Sequence, residues 1–215
     1  MARVGYGLSS FSLAGGRCGM TSDGLQALHD EIRGCAICAA ELPLGPRPVV
    51  QVGNTAKVLI IGQAPGRKVH ESGVPWNDQS GQRLRRWLGI AAEDFYDNGK
   101  IALVPMGFCY PGVAPRGGDL PPRPICAPTW HRRLFDAMPD IELTVLVGLY
   151  AQRAYLTGAG RLGANVAAFA DHLPRLCPLP HPSWRVVGWM RRNPWFERDV
   201  LPALRARVAV CLGRK

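Results

Sequence analysis

No uninterrupted apolar stretch in this chain approaches the ~18 residues of a bilayer span, so no membrane-crossing helix is expected. The first twenty residues, MARVGYGLSSFSLAGGRCGM, hold only a short, weak apolar run and no convincing cleavage site, which makes a soluble, cytoplasmic protein the expectation. Internal repeats and low-complexity tracts are also missing, which excludes solenoid and array architectures. Seven cysteines, an odd count without an export signal, argue against a disulfide framework and leave metal ligation or simple burial. Acidic residues are scarce: 16 Asp and Glu stand against 26 Lys and Arg, a formal net charge of +10, and arginine supplies most of the excess. Guanidinium forks match phosphate geometry, so the imbalance points to a polyanionic partner, nucleic acid foremost.

The chain has 215 residues, 47% of them hydrophobic, enough for one substantial core. Residues 1–20, rich in Gly and Ser, read as a disordered lead, 21–210 as a single domain and 211–215 as a tail. In SDGLQALHDEIRGC, Leu25, Leu28 and Ile32 recur at helical spacing, with Ser22 or Asp23 as cap and Gly34 as stop. KVLIIG (57–62) is short, β-branched and apolar on both faces, as a buried parallel strand requires. Further strands are expected at 101–107, at 144–148 and in the first half of 175–183, with helical patterns at about 80–90, 127–138, 150–156, 161–171 and 195–210. This alternation predicts an α/β fold with a mostly parallel sheet covered on both faces. Ligands of such sheets bind beyond the carboxyl ends of the strands, so the Gly/Pro-rich loops after 62, 107, 148 and 180 should meet at one edge.

Cys35-x-x-Cys38 places two thiols on one turn, and Cys109 and Cys126 flank the excursion YPGVAPRGGDLPPRPI, which has too little apolar content to hold its own ends. Four thiolates spaced in this way suit structural zinc or an iron-sulfur cluster. Cys18, Cys177 and Cys211 have no comparable partners.

Four motifs occur in a telling order: CAIC at 35–38, GQAPG at 62–66, FCYPG to PIC at 108–126 and HPS at 181–183. Together they resemble the uracil-DNA glycosylase superfamily, in particular its iron-sulfur classes, from about Leu25 to about Arg207. The resemblance implies a three-layer α/β/α sandwich around a four-stranded, mostly parallel sheet. It also implies a structural 4Fe-4S cluster on Cys35, Cys38, Cys109 and Cys126, in preference to zinc, pinning the 110–125 excursion with Arg116 and Arg123 beside DNA.

Cleaving a base from its sugar develops negative charge on the base and positive charge on the sugar, so the catalyst needs donors for the base oxygen and a group to orient water. His181 matches the histidine that the family directs at the base carbonyl, and Trp76 matches its stacking aromatic. Gln63, Ala64 and Gly66 belong to the motif that lines the base, with Asn77 next to Trp76 as a further base contact. Trp76 and His181 are expected to grip one extruded base between them.

The family's water-activating carboxylate is missing from GQAPG: Ala64 stands where one class has Asp and Gln63 where another has Glu, and an amide cannot accept the proton. WNDQSG resembles the F-x-G-D-x-S-G stretch of a second iron-sulfur class whose first motif also lacks a carboxylate, which assigns water orientation to Asp78, with Glu71 in reserve and Gln63 as a polar positioner. Asp78 also suits the cap of a helix starting near Ser80 or Gly81. Pro105 replaces an Asn that reads the uracil edge in one class, which implies a wider range of deaminated bases.

Beyond His181, Ser183, Trp184, Arg185, Trp189, Arg191, Arg192 and Trp195 interleave aromatic and basic groups, as a wedge with phosphate contacts would, or as an amphipathic connection on the core would. RLRRWL at 83–88 reads as the exposed face of a helix. No lysine is placed by motif for a Schiff base and no obligate protein partner is evident, so the expectation is a monofunctional glycosylase acting on DNA that contains a deaminated base. A DNA-binding relative without turnover, and an iron-sulfur protein acting on free nucleotides or RNA, are the rival readings.

Overall fold

The computed structural model describes residues 21–115 and 117–214. The expected disordered lead, Cys18 and Arg116 lie outside the described residues. Four short strands, β1 (Val58–Ile61), β2 (Ile101–Leu103), β3 (Leu143–Val147) and β4 (Leu176–Leu179), form one sheet in the order β2-β1-β3-β4. Every neighbouring pair is parallel, where the sequence promised only a mostly parallel sheet.

Side chains alternate across a strand, and in β1 both sets are apolar. Val58 and Ile60 enter one core with Ile101, Leu103, Val145, Val147, Cys177 and Leu179, while Leu59 and Ile61 enter a second core with Ala102, Val104 and Leu146. A strand buried on both faces needs cover on both, which produces three layers.

Ten α-helices supply that cover among the described residues: α1 (Ser22–Arg33), α2 (Arg67–Ser72), α3 (Gln79–Leu88), α4 (Ala92–Phe95), α5 (Cys126–Asp136), α6 (Leu149–Tyr155), α7 (Leu162–Ala167), α8 (Phe169–His172), α9 (Val186–Arg192) and α10 (Leu201–Cys211). The first core joins the sheet to α3 and α10 through Leu84, Leu88, Leu204 and Val208; the second joins it to α1, α5 and α6 through Leu28, Leu134 and Ala151.

Several local expectations are corrected. Thr21, rather than Ser22 or Asp23, caps α1 by accepting the Gly24 amide, and Gly34 ends the helix as expected. The pattern at 161–171 divides at Ala168 into α7 and α8. The closing helix begins as a π turn (Phe196–Val200) before α10, and Cys211 is buried at the end of α10 instead of opening a tail.

The largest revision concerns the aromatic segment after His181. Trp189 and Trp195 pack edge-on at 5.6 Å, Trp189 meets Phe196 at 5.4 Å, and Phe196 meets Trp87 of α3 at 5.0 Å. These indoles therefore bind α9 to the core, and only Trp184, 73% exposed, is left for a wedge. Residues 186–192 close into a helix because Val186 anchors one face on that core while Arg191 and Arg192 remain exposed.

His131 of α5 is a buried titratable group that the sequence did not single out. A carbonyl can only accept, so Nε2 donates to Pro105 at 2.9 Å and Nδ1 is left to accept the Tyr155 hydroxyl. Burial pushes its pKa down to about 4. Between about 4 and the ordinary 6.5, the unfolded chain binds a proton that the fold refuses, so this contribution to stability is complete above pH 6.5 and is lost as pH falls. We expect urea midpoints to report a loss of roughly 3 kcal/mol from this group between pH 6.5 and 4. In His131→Asn, weaker at pH 7, that share of the pH dependence should be gone.

Candidate functional site

The carboxyl ends of the strands open into a cavity of about 460 Å³. Its walls come from the GQAPG loop after β1 (62–66), Trp76 and Asp78 ahead of α3, Pro105 after β2, the 117–119 turn, and His181 to Arg185 after β4. The loop after β3 joins at one point: a Cβ on Gly148 would lie 3.6 Å from the His181 Cβ.

Trp76 has φ +56, an uncommon conformation for a bulky residue and one that surrounding contacts must hold. Two glycines make room for it. A Cβ on Gly81 would fall 1.7 Å from the Trp76 carbonyl oxygen, and one on Gly62 would fall 2.7 Å from the indole Cζ2. The indole therefore lies across the end of β1. Its centroid is 5.8 Å from that of His181, with the rings tilted by 30°. This is direct ring contact, so the two side chains share the cavity as adjoining walls and not as the opposed jaws that the sequence suggested.

His181 is desolvated, which lowers its pKa below the ordinary 6.5 although the Asp78 carboxylate pulls the other way. Its imidazole is neutral at pH 7 and has one N–H to give. The loop carrying it is tied to α3: the Arg83 guanidinium donates to the carbonyls of Pro182 at 2.7 Å and Ser183 at 2.9 Å. Arg83 is thus no member of a merely exposed basic face, and Arg85 also turns inward, over Phe95 and onto the Tyr96 hydroxyl.

Asp78 serves both readings raised by the sequence. Its Oδ1 accepts the Gly81 amide at 2.7 Å as the N-cap of α3, and its carboxylate also lines the cavity. Gln63 lines it too, but its side-chain amide donates to the Leu120 carbonyl at 3.3 Å, which fastens the 110–125 excursion to the GQAPG loop. Ala64, Gly66, Ser183, Trp184 and Arg185 are in the lining, with Arg185 placed 5.3 Å over the Trp184 ring.

Four sequence-selected residues are not brought to the cavity. Glu71 is exposed on α2 and bonded to Arg67 at 2.9 Å, Asn77 points to solvent, and Arg191 and Arg192 sit on the outer side of α9. Conversely, Asp119 lines the cavity and was passed over. Its sequence signal, an acid after two glycines in RGGDL, lay in an excursion read only for its arginines and cysteines.

A second, smaller cavity is lined by Cys35, Cys38, Cys109 and Cys126, with Ile37, Phe108, Ile125 and Arg123 around them. The fold therefore gathers thiols separated by up to 91 positions in sequence, the span from 35 to 126. Burial, reinforced by the neighbouring cysteines, pushes the thiols of Cys109 and Cys126 up to about 11 and about 12. Cys126 Sγ accepts the Phe108 amide at 3.3 Å. Arg123 pairs with Glu41, yet its Nε is buried without an acceptor on the same wall. Cys177 and Cys211 are buried in the first core, away from this group.

Removing the Arg83 guanidinium should loosen the His181 loop before anything else. Arg83→Ala is expected to lower stability by about 1.5–3 kcal/mol in urea unfolding, the range for hydrogen bonds from a charged donor. In NMR spectra it should shift the His181 ring signals and leave those of His131 in place. Arg83→Lys should retain part of both.

Among known families, the model of the uracil DNA glycosylase superfamily matches residues 50–205, a span that contains all of the large cavity's lining except Val49, and Cys109 and Cys126, but begins after Cys35 and Cys38.

Proposed function

Since the chain belongs to the uracil DNA glycosylase superfamily, we propose that it removes uracil or a related deaminated base from DNA by hydrolysing the N-glycosidic bond. One observation carries this reading: Trp76 and Asp78, from the segment ahead of α3, and His181, from the loop after β4, line a single cavity at the carboxyl edge of the sheet. The target nucleotide must leave the stack to enter such a cavity. Exposed Trp184 at the mouth suits the role of wedge, and Arg185, stacked on it, suits a phosphate contact. Asn77, Arg191 and Arg192, which lie outside the lining, are retained only as contacts to flanking DNA.

The chemistry follows from where charge develops. As the C1′–N bond lengthens, the base takes the electron pair, and the neutral His181 donates its N–H to the base oxygen. The backbone amides of Gln63 and Ala64 add donors on the same wall. The Asp78 oxygen not engaged with Gly81 is left to favour the cationic sugar centre and to orient water. Pro105 offers no side-chain amide to read a base edge, which supports a range wider than uracil.

Cys35, Cys38, Cys109 and Cys126 would hold the 4Fe-4S cluster. Two features fit it: four thiols around one apolar cavity, and the buried Arg123 Nε that lacks an acceptor beside them. The same four thiolates would also suit a structural zinc ion, which is the alternative. Bound there, such a cluster would cross-link the 110–125 excursion, which supplies part of one wall of the large cavity, to the end of α1. Among the described residues no helix is long and apolar enough to cross a membrane.

The test is a panel of single- and double-stranded oligonucleotides containing uracil, hypoxanthine or xanthine, treated with alkali after incubation. Nicks at the modified base are expected; a shifted band without nicks would support the binding-only reading instead. His181→Asn should reduce the single-turnover rate by about 10²–10³, the usual loss for one donor to a developing anion. Cys109→Ser should abolish the broad visible absorbance of protein prepared without air, and a colourless wild type would reject the cluster.

A further inference from the structure

Several acids elsewhere on the molecule have cationic partners: Glu31 with Arg133, Glu41 with Arg123, Glu71 with Arg67, and Asp94 with Lys100 and Arg214. Among the described residues Asp119 has none, and none of them donates a hydrogen bond to either of its oxygens. In a chain of net charge +10, a bare carboxylate at the mouth of a DNA-binding cavity weakens the attraction for phosphate. Its position therefore calls for another reason.

The backbone presents this carboxylate firmly. Val113 and Asp119 form an antiparallel bridge, the Ala114 amide donates to the Gly118 carbonyl at 2.8 Å, and the Gly117 amide donates to the Ala114 carbonyl at 2.8 Å. Gly117 and Gly118 take φ +81 and +87, values that close the turn and that side chains rarely adopt. On the far side, the Leu120 amide donates to the Gly112 carbonyl at 2.8 Å and the Leu120 carbonyl accepts the Gln63 side chain. The hairpin is thereby fastened to the GQAPG loop, and Asp119 Oδ2 lies 3.5 Å from where a Cβ of Gly66 would be.

We propose that Asp119 is a catalytic residue of the glycosylase reaction, the base that takes the proton of the attacking water. This rests on the function proposed above and completes it, because the GQAPG motif has no carboxylate and one oxygen of Asp78 is committed to the cap of α3. Asp78 orients the water and Asp119 receives its proton as oxygen bonds to C1′. The C1′–N electron pair leaves with the base, held by His181, and the proton on Asp119 passes on to solvent or to the departing base. Among the described residues, the charged and titratable groups that line the cavity with Asp119 are Asp78 at the start of α3, His181 after β4, and Arg185, whose guanidinium overlies Gly118 without pairing to the carboxylate. Desolvation, followed by the Asp78 charge, raises the pKa of Asp119, which makes it a stronger base than a free carboxylate.

The test compares wild type, Asp119→Asn and Asp119→Glu on a uracil oligonucleotide, with single-turnover rates, binding and urea unfolding followed across pH. Asp119→Asn is expected to lose at least about a hundredfold in rate. It should bind the oligonucleotide as tightly as wild type or more so, because a negative charge has gone, and it should lack the acid-side fall of the wild-type rate profile. Asp119→Glu should recover part of the rate. An Asp119→Asn enzyme that keeps its rate overturns the assignment, and so does one that loses binding and stability together, which would mark a hairpin brace. A wild type that nicks no substrate overturns the glycosylase reading, and this one with it.

Discussion

The parallel register of the sheet is the constraint on which the molecule depends. With β2, β1, β3 and β4 all running one way, their carboxyl ends emerge along a single edge, and each following loop starts where its neighbours start. A reversed strand would send its loop to the opposite side. The register is held because both faces of β1 and β3 are apolar, so either face exposed to water would cost a substantial part of a marginal stability.

Within that frame, the positions of the site side chains are set by steric and hydrogen-bonding contacts reaching between elements. Trp76 lies across the end of β1 because Gly62 and Gly81 leave space on two sides of it. His181 stands beside it because Arg83, on α3, satisfies two carbonyls of the next turn. Pro105 is held from behind by His131 and, through it, Tyr155, so a buried polar relay between α5 and α6 reaches the cavity wall. Disturbing any of these moves a wall of the cavity without touching a ligand.

Charge follows a similar division. The basic excess belongs to the surface and gives affinity for a polyanion without selecting a base. In the cavity lining the balance differs, with two carboxylates, Asp78 and Asp119, and a neutral imidazole, and with Arg185 stacked on Trp184. The reaction proposed above, which forms a sugar cation and a base anion, would use this opposition, with negative charge beside the sugar and a donor beside the base.

Much of the architecture was legible in the chain itself. KVLIIG has the length and two-sided apolarity of a strand buried on both faces, the alternation of patterns implied parallel crossovers, and HPS and GQAPG marked the loops that meet. Local pattern also foresaw Asp78 as a helix cap. It could not foresee that Trp189 and Trp195 turn into the core while Trp184 stays outside, since all three occur in the same aromatic and basic run. Nor could it give Arg83 its partners 99 and 100 residues away, or bring Asp119 to the GQAPG loop. Periodicity records which face of an element is apolar, a property of near neighbours; which polar side chain meets which distant carbonyl is settled only when separate elements pack, because packing decides what water can no longer reach.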